Sequence, residues 1–335
     1  MIIPAPPEDF TSLVRYSAQI GADRLLIQAA GGNTSLKHDG VMWIKASGTN
    51  LADAQKRNIF VPVDLAKIRL ALDDPSIDAD QTENFLLGQQ ALRPSIETSV
   101  HAVFEKRVVI HVHCVNTISY AIRKNAEAVL SRKLNGFNWC LVPYRKPGAS
   151  LAASVRSHLQ PDTEVVVLAN HGLIVVADDV GAAEKLLAAV IDAIRVEPAD
   201  PLKVDTETLQ RLRVPGWHAP PEDASIHQVA LHPERLAMAK RGSLYPDHVL
   251  FCGIGAQSWE GNFPDPADAP PFLLVAGAGA VMKDNASASS IALTECLGDV
   301  LMRVPVACDL DYLTLEQNAE LLNWDAEKYR LALNA

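Results

Sequence analysis

Two imidazoles stand two residues apart in an apolar run, VVIHVHCVN at residues 108–116. A strand sends alternate side chains to opposite faces, so His111 and His113 share one face while Ile110 and Val112 take the other. A third imidazole, His171, lies in VVVLANHGLIVVA, where two apolar runs flank Asn170-His171-Gly172 and read as strand, tight turn, strand. Three neutral imidazoles around one divalent ion leave a coordination position open for substrate, the donor set of a catalytic rather than a structural zinc site. Glu97, in RPSIETSVHAVFEKR, comes just ahead of the histidine strand. By itself it reads as a helix-start carboxylate interacting with the helix dipole. Beside a metal it becomes a candidate general base.

Several polar positions could meet the rest of a ligand. In AAGGNTSLK, two glycines let the backbone turn sharply, and Asn33, Thr34 and Ser35 add neutral donors. The loop reads equally as a plain turn or as an anion cradle. VMWIKASGTN repeats the theme, a strand over 41–45 ending in Lys45 and then Ser47-Gly48-Thr49. Pro94 and Ser95 mark a helix start, where unpaired amides favour an anion such as phosphate. A Pro-Gly loop carries Tyr144, Arg145 and Lys146, within reach of a substrate or simply exposed. His158 has no partner at ligand spacing and reads as a surface residue.

These groups need a scaffold to bring them together. Helices are expected over 8–22, from 95, over 117–130, over LAASVRSHL and over 179–196, the last with Val180, Ala183, Leu187, Val190, Ile191 and Ile194 on one face. Strands are expected over DRLLIQ, 41–45, the histidine run, WCLV and both arms of the NHG turn. Residues 197–224 carry five prolines and read as a boundary, with a short helix in VDTETLQRL. Beyond it, PPFLLVAGAGAVMKDNASASSIALTECLGDVLM repeats the order strand, glycine turn, strand, long helix of the NHG region, with Ala278 where His171 stands. A polar helix, LTLEQNAELLNWDAEKYRLALN, ends the chain.

At 335 residues, 48% hydrophobic and 21% charged, the chain is that of a globular protein with a packed core. A formal charge of -10 argues against nucleic acid or an anionic membrane as partner. Five scattered cysteines with no CxxC pair suggest neither a disulfide framework nor a cysteine-zinc knot, and fit a reducing cytoplasm. MIIPAPPEDF lacks the features of a signal peptide, and no apolar stretch nears the ~20 residues of a membrane span.

In this order and at these separations, GGNTSLK, IKASGTNL, PSIETSVHAV, VVIHVHCVN and LANHGLIVV resemble the class II aldolase and adducin family, over roughly residues 10–196. The segment order and the tail resemble the aldolase part of rhamnulose-phosphate aldolases fused to a dehydrogenase. The AGAGAVM stretch, however, lacks the GxGxxG pattern leading into a helix that a dinucleotide fold requires. The resemblance implies an α/β fold, a three-layer α/β/α sandwich with a mostly antiparallel central sheet. The catalytic domain would span 1–200, followed by a C-terminal α/β extension over 215–335, a candidate degenerate partial repeat.

The resemblance also implies zinc, or another divalent metal, on His111, His113 and His171, with Glu97 as base. It implies substrate or phosphate binding at Asn33, Ser47, Gly48 and Ser95, with Lys45 as an addition. Tyr144 is a candidate acid at the aldehyde oxygen, acting across a subunit boundary of a homo-oligomer. Ile96 departs from the family pattern, in which phosphate-using members often have a second serine before the acid. Glutamate at 97 favours aldolase or decarboxylase chemistry over epimerisation, and the three retained histidines argue against an adducin-like binding protein. The expected activity is zinc-dependent retro-aldol cleavage of a ketose, first of all a ketose 1-phosphate, to dihydroxyacetone phosphate and a small aldehyde. The alternatives are a decarboxylase of a 3-oxo sugar acid phosphate, a sugar-phosphate epimerase and a non-catalytic binding protein.

Overall fold

In the computed structural model the described residues are 5–325 apart from 213, 214 and 267, together with 328, 329 and 333. They form two compact units, one built from residues up to Thr117 with Glu127–Ile194, the other from Ile118–Ala126 with the chain from Arg195 onward.

The first unit is organised by a seven-stranded sheet. Its elements are α1 (Phe10–Gly21), β1 (Asn33–His38), β2 (Val41–Lys45), β3 (Phe60–Asp64), α2 (Leu65–Asp73), α3 (Thr98–Ala102) and β4 (Val108–Val112). There follow α4 (Val115–Ala121), α5 (Ala126–Lys133), β5 (Trp139–Val142), α6 (Ala149–His158), β6 (Val165–Leu168), β7 (Gly172–Ala177) and α7 (Val180–Ala193). Residues 118–126, in α4 and at the start of α5, group with the second unit. The strand order is β3-β2-β1-β4-β7-β6-β5. Every neighbouring pair is antiparallel except β5 with β6.

Adjacent residues of β1 face opposite ways. Thr34 hydrogen-bonds Ser17 of α1, and Ser35 hydrogen-bonds His101 of α3. Helix α1 packs with α7 on the first face, and α2, α3 and α6 pack together on the second. This is the three-layer sandwich with a mostly antiparallel sheet that the resemblance implied. The second face holds a core of Val100, Phe104, Val109, Leu151, Val155, Ile174 and Val176. The β-branched runs of β4, β6 and β7 suit a sheet covered on both sides. Helix α7 follows its expected pattern: Asp179 accepts from Ala182 N at 2.8 Å as the N-cap, and Val180, Ala183, Leu187 and Val190 are buried.

Three local expectations differ from the structure. Residues 23–28 form a turn rather than a strand, because Asp23 gathers the amides of Leu25, Leu26 and Ile27 on its side-chain and main-chain oxygens. The helix expected from Ser95 begins at Thr98, since Pro94 bridges Ala46 and Ser95 N bonds Lys45 O in an extension of β2 pairing. The helical stretch over 117–130 is two helices, α4 and α5.

The second unit holds α8 (Thr206–Arg211), β8 (Trp217–His218), α9 (Ile226–Leu231), α10 (Pro233–Arg241), α11 (Pro246–Cys252), β9 (Phe272–Val275), β10 (Gly279–Lys283), α12 (Ala288–Leu301) and α13 (Leu315–Leu322). Its sheet has the order β8-β10-β9. The expected strand, glycine turn, strand, helix order is present as β9, β10 and α12. The AGAG stretch is a hairpin turn, not a strand-to-helix phosphate loop. The far end of the expected terminal helix, and residues 1–4 of the N-terminal stretch read for a signal peptide, lie outside the described residues. Among the described residues no helix is long and apolar enough to cross a membrane.

Lys37 of β1 is buried, and its ammonium donates to Lys106 O at 2.9 Å. Burial, with Arg69 adding to it and Glu105 opposing, pulls its pKa down to about 7. Between that value and the ordinary 10.5, the unfolded chain binds the proton that the folded chain lacks, so stability rises with pH across this window. Lys37→Met is therefore expected to raise the melting temperature most below pH 7, with the gain fading towards pH 10.5. Equal gains at pH 6 and 10 in thermal melts would contradict this.

Candidate active site

The polar positions singled out in the sequence collect at one end of the large sheet. Residue Asn33 opens β1 and pairs with His111 near the end of β4; His171 precedes β7, and Ser47 and Tyr144 follow β2 and β5. His111 faces the α3 side of the sheet, as do its cross-strand neighbours Asn33 and Ile174. His113 lies just beyond the strand, and His171 is held in the β6–β7 turn by its own amide, which donates to Leu168 O at 3.1 Å. Within that turn, Asn170 takes the left-handed conformation at φ 54°, one that asparagine tolerates.

Glycines let the backbone come this close. A Cβ on Gly172 would stand 2.5 Å from Val112 O and 3.2 Å from His111 Cε1, so a side chain there would push the hairpin off β4. A Cβ on Gly31 would stand 2.8 Å from His113 Nδ1. The Gly-Gly loop, read in the sequence as a turn or an anion cradle, thus packs directly against the imidazole of His113.

The three imidazoles form a nearly equilateral triangle, with ring centroids 5.0, 4.9 and 5.0 Å apart. All three are buried, and one ring nitrogen from each lies within 4.8 Å of the others, a group that could hold a metal ion. His111 Nδ1 is 3.1 Å from Leu173 O. A carbonyl can only accept, so Nδ1 carries the proton and Nε2 keeps the lone pair a metal needs.

Glu97 completes the cluster. Its Oε2 is 3.5 Å from His111 Nε2, and its Oε1 is 3.6 Å from His171 Nε2. Burial pushes this carboxyl up, and the imidazoles around it, His111 and His171 foremost, pull it down more strongly, so it lies below its ordinary pKa. Oε2 accepts from Asn33 Nδ2 at 2.6 Å, whereas Oε1 is buried and, among the described residues, accepts no hydrogen bond. A buried carboxylate oxygen without a donor is costly unless a cation stands beside it. That oxygen and the three converging ring nitrogens fit a divalent ion.

Of the remaining expected residues, Ser95 lies beside the Glu97 main chain. Ser95 Oγ accepts from Glu97 N at 3.2 Å. The Lys45 ammonium donates to Ala30 O at 2.6 Å and is almost wholly buried, tying β2 to the glycine loop. Ser47 N donates to Arg93 O, and Gly48 has φ 71°. Tyr144 is half-buried, and His158 bonds only within its own helix turn and to Ser157. Sequence reading missed His101, whose Nδ1 meets Ser35 Oγ at 2.7 Å. Its only signal was the i, i+4 spacing from Glu97 on a short helix.

Residues 12–197 match the family model described as Class II Aldolase and Adducin N-terminal domain. A Bacillus subtilis (strain 168) protein named uncharacterized oxidoreductase YuxG is 30% identical over 183 residues, covering 50% of this chain and 26% of that protein. The chain thus spans about a quarter of the length of that relative. Among solved structures, the N-terminal class II aldolase domain of a conserved Thermoplasma acidophilum protein is 23% identical with a TM-score of 0.49, covering 58% of this chain and 95% of that one. An L-fuculose 1-phosphate aldolase is 17% identical with a TM-score of 0.41, covering 57% and 84%.

Because Gly172 leaves room for the hairpin that carries His171, a divalent ion held by these three imidazoles would bind about 10- to 100-fold more weakly in Gly172→Ala, the range of changes just outside a ligand set. Calorimetric titration of the folded variant checks this; wild-type affinity would contradict it.

Proposed function

Because this chain belongs to the class II aldolase and adducin family, we propose that it is a metal-dependent aldehyde-lyase acting on a ketose. The products would be dihydroxyacetone phosphate, or dihydroxyacetone from a free ketose, and a small aldehyde. The observation that carries this reading is one buried carboxylate, Glu97, within 3.6 Å of two imidazoles of a three-histidine triangle. His111, His113 and His171 would hold zinc or another divalent ion. Such an ion, when bound, supplies Lewis-acid stabilisation of the negative charge that develops as the carbon–carbon bond breaks.

The chain's own residues would handle the protons. Glu97 is held ionised, and Asn33 grips Oε2, which leaves Oε1 as the oxygen able to carry a proton. In the synthetic direction it removes a proton from the carbon beside the carbonyl; in cleavage it returns that proton. Tyr144, on the loop after β5, is the proposed partner for the proton at the aldehyde oxygen. At the other end of the substrate, Ser47, Gly48 and Ser95 would supply donors. Lys45 and Asn33 would act there chiefly through the loop and the base they already hold, because the ammonium is on Ala30 O and the amide on Glu97. With Ile96 in place of a hydroxyl, free ketoses belong beside ketose 1-phosphates among the candidate substrates.

The test is aldehyde release from a panel of both substrate types. Glu97→Gln is expected to cut turnover about 10²- to 10⁴-fold, the usual weight of a general base, with metal content unchanged. Full activity in Glu97→Gln would remove the base role. Carbon dioxide release from 3-oxo sugar acids, with no aldehyde from any ketose, would overturn the lyase reading in favour of a decarboxylase.

A further inference from the structure

Helix α3 is five residues long and begins directly after Glu97. A helix of that length does not hold its own form or rotation, since its few internal hydrogen bonds barely offset nucleation. Its far end is tied by Arg69, which donates to Ala102 O and Phe104 O at 3.1 and 3.3 Å. Its face towards the sheet is tied by two side-chain hydrogen bonds to β1. Asn33 Nδ2 meets Glu97 Oε2 at 2.6 Å and, two residues along the strand, Ser35 Oγ meets His101 Nδ1 at 2.7 Å.

The two spacings match. Residues two apart on a strand share a face and lie about 6.4–6.8 Å apart. Glu97 is the N-cap, and His101 N donates to its carbonyl at 3.1 Å across the first turn; residues four apart across such a turn share a face with a rise of about 6 Å. Asn33 and Ser35 can therefore grip Glu97 and His101 together, as two rungs of one ladder. Neither Ser35 nor His101 is exposed to solvent, so water does not compete for the second rung. Losing it would strand a buried hydroxyl and a buried ring nitrogen. Burial also keeps His101 well below its ordinary pKa, which suits a fixed neutral partner rather than a proton carrier.

We propose that His101, through Ser35, is a positioning residue for Glu97. The Ser35–His101 rung sets the rotation of α3 and so keeps the Glu97 carboxylate between His111 and His171, while Asn33 fixes which oxygen remains available. The kinetic consequence rests on the reading of Glu97 as the base; the positional one does not.

Crystal structures of Ser35→Ala and His101→Leu test the positional claim without any turnover. The expected result is that Glu97 loses its contacts of 3.5 and 3.6 Å to His111 and His171. Unchanged contacts in both variants would overturn the proposal. If His101→Leu does not fold, Ser35→Ala, which retains the imidazole side chain and removes only its partner hydroxyl, carries the test. In turnover, both variants should lose about 10- to 100-fold in kcat with little change in KM, the scale of a reacting group displaced by about 1 Å.

His101→Asn offers an amide where Nδ1 stood and should recover most of the loss. In a Glu97→Gln background, His101→Leu should cost nothing more, because the two residues act as one unit. A lowered melting temperature with unchanged kcat, or full additivity with Glu97→Gln, would make His101 merely structural and overturn the assignment. Failure of the wild type to cleave any ketose would refute the lyase reading, and the crystal structures would still decide the role of His101.

Discussion

The rest of the site depends on the burial of three imidazoles and a carboxylate in one small space. With ring centroids about 5 Å apart, His111, His113 and His171 direct their ring nitrogens at a common region, and Glu97 adds a negative charge at its edge. Lone pairs converging in a low-dielectric interior favour a cation, and the orphaned Oε1 of Glu97 favours one further. The surrounding devices follow from that requirement. Gly31 and Gly172 remove side chains where backbone must approach a ring, Leu173 O sets the tautomer of His111, and Lys45 buries its ammonium to fasten the glycine loop.

Each of these devices has a cost that other parts of the sheet offset. Two buried lysines, Lys37 and Lys45, sit in the neighbouring strands β1 and β2. They are tolerable because their ammonium groups donate to main-chain oxygens, of Lys106 and Ala30. Helix α3 is too short to be rigid by itself and is held instead by Arg69 at one end and the β1 ladder along its side. Glu97 therefore stands at the start of an element whose orientation comes from tertiary contacts, which is why residues of β1 matter for a carboxylate 64 positions away.

What could be read from the sequence was what is local. The strand that carries His111 and the turn composition at Asn170-His171-Gly172 depend on neighbours within a few residues, and both are present as expected, although His113 falls one residue past the strand. The triangle of imidazoles needed only those two features and antiparallel pairing of β4 with β7. The misread segments are those where a distant partner overrides local preference. DRLLIQ is a short apolar run that reads as a strand, but Asp23 folds it into a turn and Val115 N donates to Leu25 O. Pro94-Ser95 looks like a helix start but continues the pairing of β2, which delays α3 by three residues. Asn33 reads as a loop donor for a ligand, whereas its amide is on Glu97; nothing near Ser35 or His101 in the chain announces that they meet. In the second unit, the hairpin and long helix over 272–301 were legible, but α11 was not, because it is buried all round and so has no polar face to reveal its period.

The measurement that bears most directly on this account is a titration of Zn2+ into chelator-stripped protein, counting bound ions per chain by calorimetry and native mass spectrometry. It should be run on the wild type and on His111→Ala, His113→Ala and His171→Ala. The account predicts one tightly bound ion per chain in the wild type and loss of that ion in each folded variant. A wild type that binds no ion, or binding that survives removal of any of these imidazoles, would contradict it.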